Sequence, residues 1–556
     1  MILKPEGEFV APTDEQVQAG LAALDGALAK AKEHLISLCV KDGRVDNNAA
    51  NANQQALHGL AYLACEHAAA HELVEYAKRV GEATGRNDLE TLIAQAYVAG
   101  CVRRWRFGAD ISGLEQIPSA EIGLTAEVQA ATVAAPEQDD LIAKAGGSAI
   151  LSKIAEVVHD RGSFGDFGIG DELLSDVQKQ FQKFADNVVV PIAEHVHRKD
   201  ELIPLSIIDQ LAEQGVFGIT IPEQYGGTEL GKMGMVIVTE ELSRGYIGVG
   251  SLGTRAEIAA ELILTGGTEE QKNEWLPKLA MGEVLPTALF TEPNYGSDLA
   301  NIKSQAKRVD GQWVISGQKT WITHGSRADL CTMLVRTLPD EKGYKGLSML
   351  LVPKTRGTED DPFPDAEITG TEIPVIGYRG MKEYEISFDE YKVPEGNLLG
   401  GEDGKGFKQL METFESARIQ TAARGVGLAR AALELAYKYA NERKQFGGEI
   451  FQFPRVHQKI ARMVVETQAA RQLTYFSARM KESGKRCDLE AGMAKLLATK
   501  AAFFVSDAGV QIHGGNGYAE EYPISRVFVD SRVLSIFEGA NEIQAHVIGR
   551  RLLETA

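Results

Sequence analysis

Cysteine is scarce in this chain and widely scattered. Cys39, Cys65, Cys101, Cys331 and Cys487 lie far apart, and no two form a C-x-x-C pair. That spacing excludes a disulfide framework and a cysteine zinc site, so no metal is expected and the thiols read as those of a reducing, intracellular compartment. Long apolar runs are missing too, and nothing approaches the roughly 20 residues a membrane helix needs. The opening, Met1-Ile2-Leu3-Lys4-Pro5-Glu6-Gly7-Glu8, carries acids and no apolar signal core. Export and organelle import are disfavoured by such a start, and a cytoplasmic protein is expected. Positive charge is in deficit: 58 Lys and Arg stand against 78 Asp and Glu, a net charge of -20. This argues against nucleic acid or an anionic membrane as partner.

What is present is ordinary globular sequence, with 44% apolar and 24% charged residues over 556 positions. That length implies several domains. Apolar residues recur at helical spacing in the first hundred residues, as in Leu57, Leu60, Ala61, Leu63 and Ala64, and predict helices at about 14–38, 47–82 and 87–106. Pro118, Pro136, Gly146-Gly147 and the Gly-rich run from Gly162 to Asp171 mark a looser linker over about 108–165. Helical periodicity then holds to about 287. Short β-patterned runs such as Trp313 to Gly317, Leu330 to Val335 and Leu347 to Pro353 follow, separated by Gly, Asp and Pro. They suggest a compact barrel or sandwich. After Gly406 three long amphipathic runs and a short one predict a four-helix bundle. The expected fold is mainly α with a central β-domain. Its parts are an extra N-terminal helical module (1–165), a helical domain (166–287), the β-domain (288–400) and the C-terminal bundle (401–556).

Gly248-Val249-Gly250-Ser251-Leu252-Gly253 matches the dinucleotide fingerprint in letters. A working fingerprint follows a strand, whereas helical pattern stands on both sides here, so no Rossmann unit is expected. A more informative stretch is Ser535-Ile536-Phe537-Glu538-Gly539-Ala540-Asn541-Glu542-Ile543-Gln544. Ile536 and Phe537 should keep water from Glu538, and Gly539 allows close approach of a ligand. A carboxylate desolvated in that way is suited to general-base work near neutral pH. Taken alone, Glu538 reads rather as a surface acid at a helix start.

Two further segments change the balance: Phe290-Thr291-Glu292-Pro293-Asn294-Tyr295-Gly296-Ser297-Asp298 and Lys319-Thr320-Trp321-Ile322-Thr323-His324-Gly325. With Arg443-Lys444-Gln445-Phe446-Gly447, the run Gly514 to Pro523 and Glu538-Gly539, they stand in the order of the motifs of the acyl-CoA dehydrogenase family. The chain resembles that family over about residues 170–556, and not obviously over the first 165. The resemblance implies an FAD enzyme that desaturates an acyl-CoA and passes electrons to an electron-transferring flavoprotein. It also implies a homo-oligomer, at least a dimer, in which a neighbour's C-terminal residues complete each site. The negative net charge fits an anionic CoA ester poorly, so local Arg and Lys are expected at its entry.

Carried over motif by motif, Glu538 is the base. Phe290, Thr291, Gly296, Ser297, Trp321 and Thr323 line the flavin, with Trp321 over one ring face and Thr323 near N5. Arg443, Phe446, His457, Gln458, Gln511, Gly514, Gly515 and Asn541 are further FAD contacts. His457 reads equally as a satisfied core histidine, and Trp321 by itself as core. Ser297, Gly539 and Arg418 meet the substrate, with Arg418 at a helix start where a solvated face is the alternative. Two departures stand out. Ala540 replaces a Thr frequent after the family's E-G turn, and Ala417 occupies the position where some members carry the base, which leaves Glu538.

Arg255 falls on the helix that floors the family's acyl pocket. A buried Arg is costly unless paired. Either Glu257 or Glu261 pairs with it, or it clamps a second carboxylate on the acyl chain. The latter implies a short, branched dicarboxylic acyl-CoA. A straight-chain or glutaryl-type dehydrogenase, an oxidase, and a non-catalytic protein that kept the fold are the alternatives.

Overall fold

The computed structural model describes residues 9–554. Residues 1–8, read above for targeting, lie outside the described residues. In chain order the helices used below are α1 (Asp14–Cys39), α2 (Gln54–Thr84), α3 (Asp88–Trp105), α4 (Ser148–Arg161), α5 (Gly231–Gly245), α6 (Ile247–Gly266), α7 (Gly406–Glu442), α8 (Pro454–Glu482), α9 (Asp488–His513), α10 (Pro523–Val533) and α11 (Asn541–Glu554). No described helix is long and apolar enough to cross a membrane, and all five cysteines are free and buried.

The chain divides into two compact units. One comprises the sequence up to Asp176 together with Thr421 onward, and the other runs from Val177 to Gln420. In the first, α1 starts at a capping box, where Thr13 Oγ1 accepts from Gln16 N and the Gln16 side chain accepts from Thr13 N. Helix α2 stops at Gly85, which takes the left-handed conformation (φ 70°). The apolar face of α2 packs on α8, α9 and α11, so the N-terminal helices share one core with the C-terminal ones. Leu57 is fully buried there, and a Cβ on Gly549 of α11 would lie 2.6 Å from Leu57 Cγ and 2.9 Å from its carbonyl oxygen. The two helices touch because residue 549 has no side chain.

The stretch expected to be a looser linker is ordered. It holds a hairpin (Gly108–Ser112 with Glu115–Pro118) and the helices Ala126–Ala130, Pro136–Ala145 and α4. Pro136 stands at the first turn of its helix and Gly146-Gly147 separates that helix from α4. The punctuation residues thus bound short helices instead of breaking up a loop. The Gly-rich run after it is extended and pinned by buried amides. Gln468 Nε2 donates to Phe164 O (3.0 Å), Gln472 Nε2 to Phe167 O (2.9 Å), and Tyr76 Oη to Asp166 O (2.6 Å).

In the second unit, α5 and α6 are buried almost throughout. The G-x-G-x-x-G letters lie inside α6, where a Cβ on Gly250 would run into Ser243 of α5. These glycines serve close helix packing and no βαβ unit is present among the described residues. The β-domain is a seven-stranded sheet of β1 (Pro286–Leu289), β2 (Gln305–Val309), β3 (Gln312–Thr323), β4 (Leu330–Arg336), β5 (Leu347–Pro353), β6 (Ile368–Ile373) and β7 (Glu383–Pro394). The order is β6-β7-β3-β2-β4-β1, with β5 also on β4. The β1–β4 and β2–β4 pairs are parallel and the rest antiparallel.

Replacing Gly549 with Val forces a branched side chain against Leu57. The expected outcome is a loss of about 1–3 kcal/mol in stability, the usual cost of overpacking, read as a lower midpoint in urea. An unchanged midpoint would show that the contact between α2 and α11 yields freely.

Candidate active site

In the unit 177–420, the turn after β1 is built on a buried ion pair. Lys319 Nζ, with no solvent exposure, sits 3.0 Å from Glu292 Oε1, 3.1 Å from Phe290 O and 2.8 Å from Leu334 O. Glu292 also accepts from the backbone of Lys303 (2.7 Å) and Ser304 (2.9 Å). Burial works to raise the Glu292 carboxyl, but Lys319 and these donors overcome it and hold it below the usual carboxylate range. Thr320 N donates to Thr291 O at 3.0 Å, which fastens the turn to β3. Phe290 and Thr291 are half-buried, whereas Gly296 and Ser297 are exposed.

Strand β3 carries an extra residue opposite β7, a bulge between the Ile322–Tyr384 and Lys319–Ile386 pairs. Trp321 lies in it with φ 58° and 57% exposure. The core reading of Trp321 is therefore wrong: the bulge turns the indole outward. Thr323 is buried, and its hydroxyl donates to Glu383 Oε1 at 2.8 Å. Glu383 was not singled out in the sequence, where it opens a strand with no motif around it.

In the other unit, Glu538 occupies a turn before α11 with φ 53°, followed by Gly539 at φ 84°. Left-handed backbone costs a non-glycine residue roughly 1–2 kcal/mol, so the surroundings must hold it. Lys495 Nζ, itself fully buried, donates to Gly539 O (2.7 Å) and Asn541 Oδ1 (2.9 Å). Thr499 Oγ1 also reaches Asn541 Oδ1 (3.2 Å). A Cβ on Gly539 would collide with Gln544. The Glu538 side chain is 13% exposed, with its Oε1 4.0 Å from Nη2 of the fully buried Arg424. That guanidinium also donates to Thr421 Oγ1 (2.8 Å) and lies 4.7 Å from the Phe537 ring centre. Ile536, expected to shield the carboxylate, is 56% exposed instead. The neighbours are Arg424 and Phe537. Arg424 and Lys495 went unassigned in the sequence, although a lone cation in an Ala- and Leu-rich helical run signals a buried partner.

Other expected residues divide. Phe446 is 93% exposed with φ 53°, and Arg443, Gln511, Gly514 and Gly515 are exposed. Bulky residues rarely adopt positive φ, yet Trp321, Phe446 and Glu538 all do. Strain of this kind clusters where function holds it. His457 is fully buried, its Nε2 3.1 Å from Ser152 Oγ and its Nδ1 3.2 Å from Phe451 O. Both nitrogens are occupied within the chain, as in a satisfied core histidine. Gln458 Nε2 donates to the same Ser152 Oγ (2.9 Å), and the oxygen of Asn541 is committed inside the Glu538 turn. Arg418 is not at a helix start but well inside α7, 9% exposed, 5.8 Å from the Phe414 ring centre. Arg255 is buried on α6. Glu257 and Glu261, its expected partners, both bond Lys232 Nζ.

The family models for the acyl-CoA dehydrogenase N-terminal, middle and C-terminal domains match residues 171–283, 287–391 and 404–553. The chain belongs to the acyl-CoA dehydrogenase family. It is 50% identical over 538 residues to (2S)-methylsuccinyl-CoA dehydrogenase of Cereibacter sphaeroides, covering 96% of this chain and 97% of that one. Most of the first 165 residues are therefore shared with that relative. Butyryl-CoA dehydrogenase from Megasphaera elsdenii superposes with a TM-score of 0.65 at 32% identity, covering 69% of this chain and 98% of that one. A glutaryl-CoA dehydrogenase from Mycobacterium smegmatis, solved in complex with FADH2, superposes with a TM-score of 0.63 at 25% identity, covering 69% and 95%.

An acyl-CoA dehydrogenase works with a flavin, and residues of each unit fit one. In residues 177–420 the outward indole of Trp321 offers a flat apolar face beside the pinned Thr291 turn. In the other unit, Gly514 and Gly515 have open space on every side where a Cβ would stand, as a diphosphate cradle requires.

His324 follows Thr323 with φ 60° and is 1% exposed. Burial first, then the charges of Arg327, Arg356, Arg255 and Lys354, push its imidazole down to about 3. Unfolding frees it to bind a proton below its ordinary value near 6.5. Its contribution to stability is therefore complete above pH 6.5 and is lost as pH falls from 6.5 toward 3. Between pH 7 and pH 5 the loss from this group is about 2 kcal/mol. His324→Gln should flatten the pH dependence of the urea midpoint by that amount. An identical acid slope in the variant would remove His324 as its source.

Proposed function

We propose that this chain desaturates (2S)-methylsuccinyl-CoA to mesaconyl-CoA, a step of the ethylmalonyl-CoA pathway, with FAD as its cofactor. The observation that carries the substrate is the 50% identity to the Cereibacter sphaeroides enzyme over nearly the whole of both chains. Below 40% identity, other family members match only about two thirds of this chain.

Glu538 removes the proton α to the thioester. Its turn gives the carboxylate one direction, because Lys495 holds Gly539 O and Asn541 while Arg424 stands beside Oε1. The Glu538 backbone N–H is offered to the thioester oxygen, where charge develops as the proton leaves. When bound, the flavin supplies a two-electron acceptor for the β-hydrogen, which leaves as hydride. Trp321 and Thr291 position the ring, while Arg443 and the open Gly514-Gly515 backbone are offered to the diphosphate of a neighbouring protomer's flavin. Ala417 carries no carboxylate, so the alternative base position of some family members is not filled here. Electron-transferring flavoprotein is the expected acceptor, and the assembly is at least a dimer, consistent with Phe446 standing 93% exposed in one protomer.

Glu538→Gln should lower kcat by roughly 10²–10⁴-fold, the span general bases contribute, while the flavin stays bound. Near-normal turnover would sink the assignment.

The second carboxylate of methylsuccinyl-CoA needs a cation, and Arg255 is the buried candidate on α6. An Arg–carboxylate pair away from water is worth roughly 2–5 kcal/mol when one partner is removed. Arg255→Leu should cut kcat/KM steeply for methylsuccinyl-CoA and far less for butyryl-CoA. An equal fall for both would make Arg255 structural. A wild-type preference for butyryl-CoA would overturn the substrate and leave the dehydrogenase intact.

A further inference from the structure

Within the N-terminal helices, outside the segments the family models match, two imidazoles and a carboxylate converge. His67 and His71 stand four residues apart on α2, so they share one face and lie a single turn from each other. Asp25 reaches them from α1. Its Oδ1 lies 2.6 Å from His67 Nε2 and 2.8 Å from His71 Nε2, and the two ring centres are 4.6 Å apart. Among the described residues this is the one group of three such ligands whose donor atoms all fall within 4.8 Å of one another.

We propose that His67, His71 and Asp25 bind one divalent transition-metal ion of the zinc class. Two imidazole nitrogens and one carboxylate oxygen are a donor set that suits such an ion, with water in the fourth position. Ligand bonds of about 2.0–2.1 Å at tetrahedral angles separate donor atoms by roughly 3.3 Å. The present oxygen–nitrogen separations need to open by roughly 0.5–0.7 Å, which side-chain rotation supplies. Those side chains are 24%, 40% and 51% exposed for His67, His71 and Asp25, so they can rotate and the ion has an entry path and room for its water. Sequence spacing could not reveal the site, because Asp25 and His67 stand 42 positions apart. An ion there ties α1 to α2, and so fastens the first helix to the one that packs on α8, α9 and α11. Binding that the unfolded chain cannot match stabilises the fold by mass action.

The test uses the full-length, flavin-loaded protein, stripped with chelator and then dialysed against micromolar Zn²⁺. One equivalent per chain should be retained, with a rise of several degrees in the thermal midpoint. His67→Gln and His71→Gln should each weaken Zn²⁺ binding at least tenfold, and Asp25→Asn, which keeps shape and an acceptor oxygen but removes the charge, should also weaken it. Acyl-CoA turnover serves as the fold check and should be unchanged in all three. If the wild type holds no more Zn²⁺ than the His67→Gln/His71→Gln double variant, the cluster is a hydrogen-bonded joint only and the proposal fails.

Discussion

A lysine ammonium with no access to water sets the geometry of the β-domain's functional edge. Lys319 Nζ joins Glu292 and the carbonyls of Phe290 and Leu334, so one buried charge ties β3, β4 and the turn after β1. Removing either member of such a pair leaves the other charge buried and alone, which is far costlier than the pair itself. The positions of Thr291 and of the outward-turned Trp321 follow from that constraint. The bulge that exposes the indole begins just after Lys319, and the strand resumes at Ile322 and Thr323.

The unit that carries Glu538 uses the same device. Lys495 and Arg424 are both fully buried, one beneath the carbonyl of Gly539 and the other beside the carboxylate. Left-handed backbone at Glu538 persists because the turn is held on several sides: by Lys495, by Thr499 through Asn541, and by the Gln544 amide facing Gly539. A strained, over-determined turn gives a side chain one direction at a modest cost in stability, which is what the proposed role of Glu538 as base requires.

Residues 9–165 are a structural part of their unit. Their helix α2 fills the face of α8, α9 and α11, and the Gly-rich strap that follows is sealed by Gln468, Gln472 and Tyr76. Buried amides that each find a carbonyl give that strap one position rather than many. Ser152 of α4 completes the same logic by occupying both His457 and Gln458.

The sequence by itself determined the family and the order of helical and β regions, and it singled out the Glu538 turn. These rest on local signals: periods of 3.6 and 2, and short motifs whose letters stand side by side. It also marked Arg255 as a buried charge, with Glu257, Glu261 or a substrate carboxylate as its possible partners. The tertiary structure alone decided the rest. His457 became a core residue because Ser152, 305 positions away, meets its ring nitrogen, and no local pattern encodes such a contact. Trp321 turned outward because a bulge depends on how β7 pairs with β3, not on β3 alone. The region over 108–165 became helices because Pro and Gly end a helix as readily as they make a loop, and only packing against α3 and α8 tells which. Arg424 came to Glu538, and Asp25 to His67 and His71, for the same reason: burial and charge pairing belong to the folded chain, where residues far apart in sequence first share one environment.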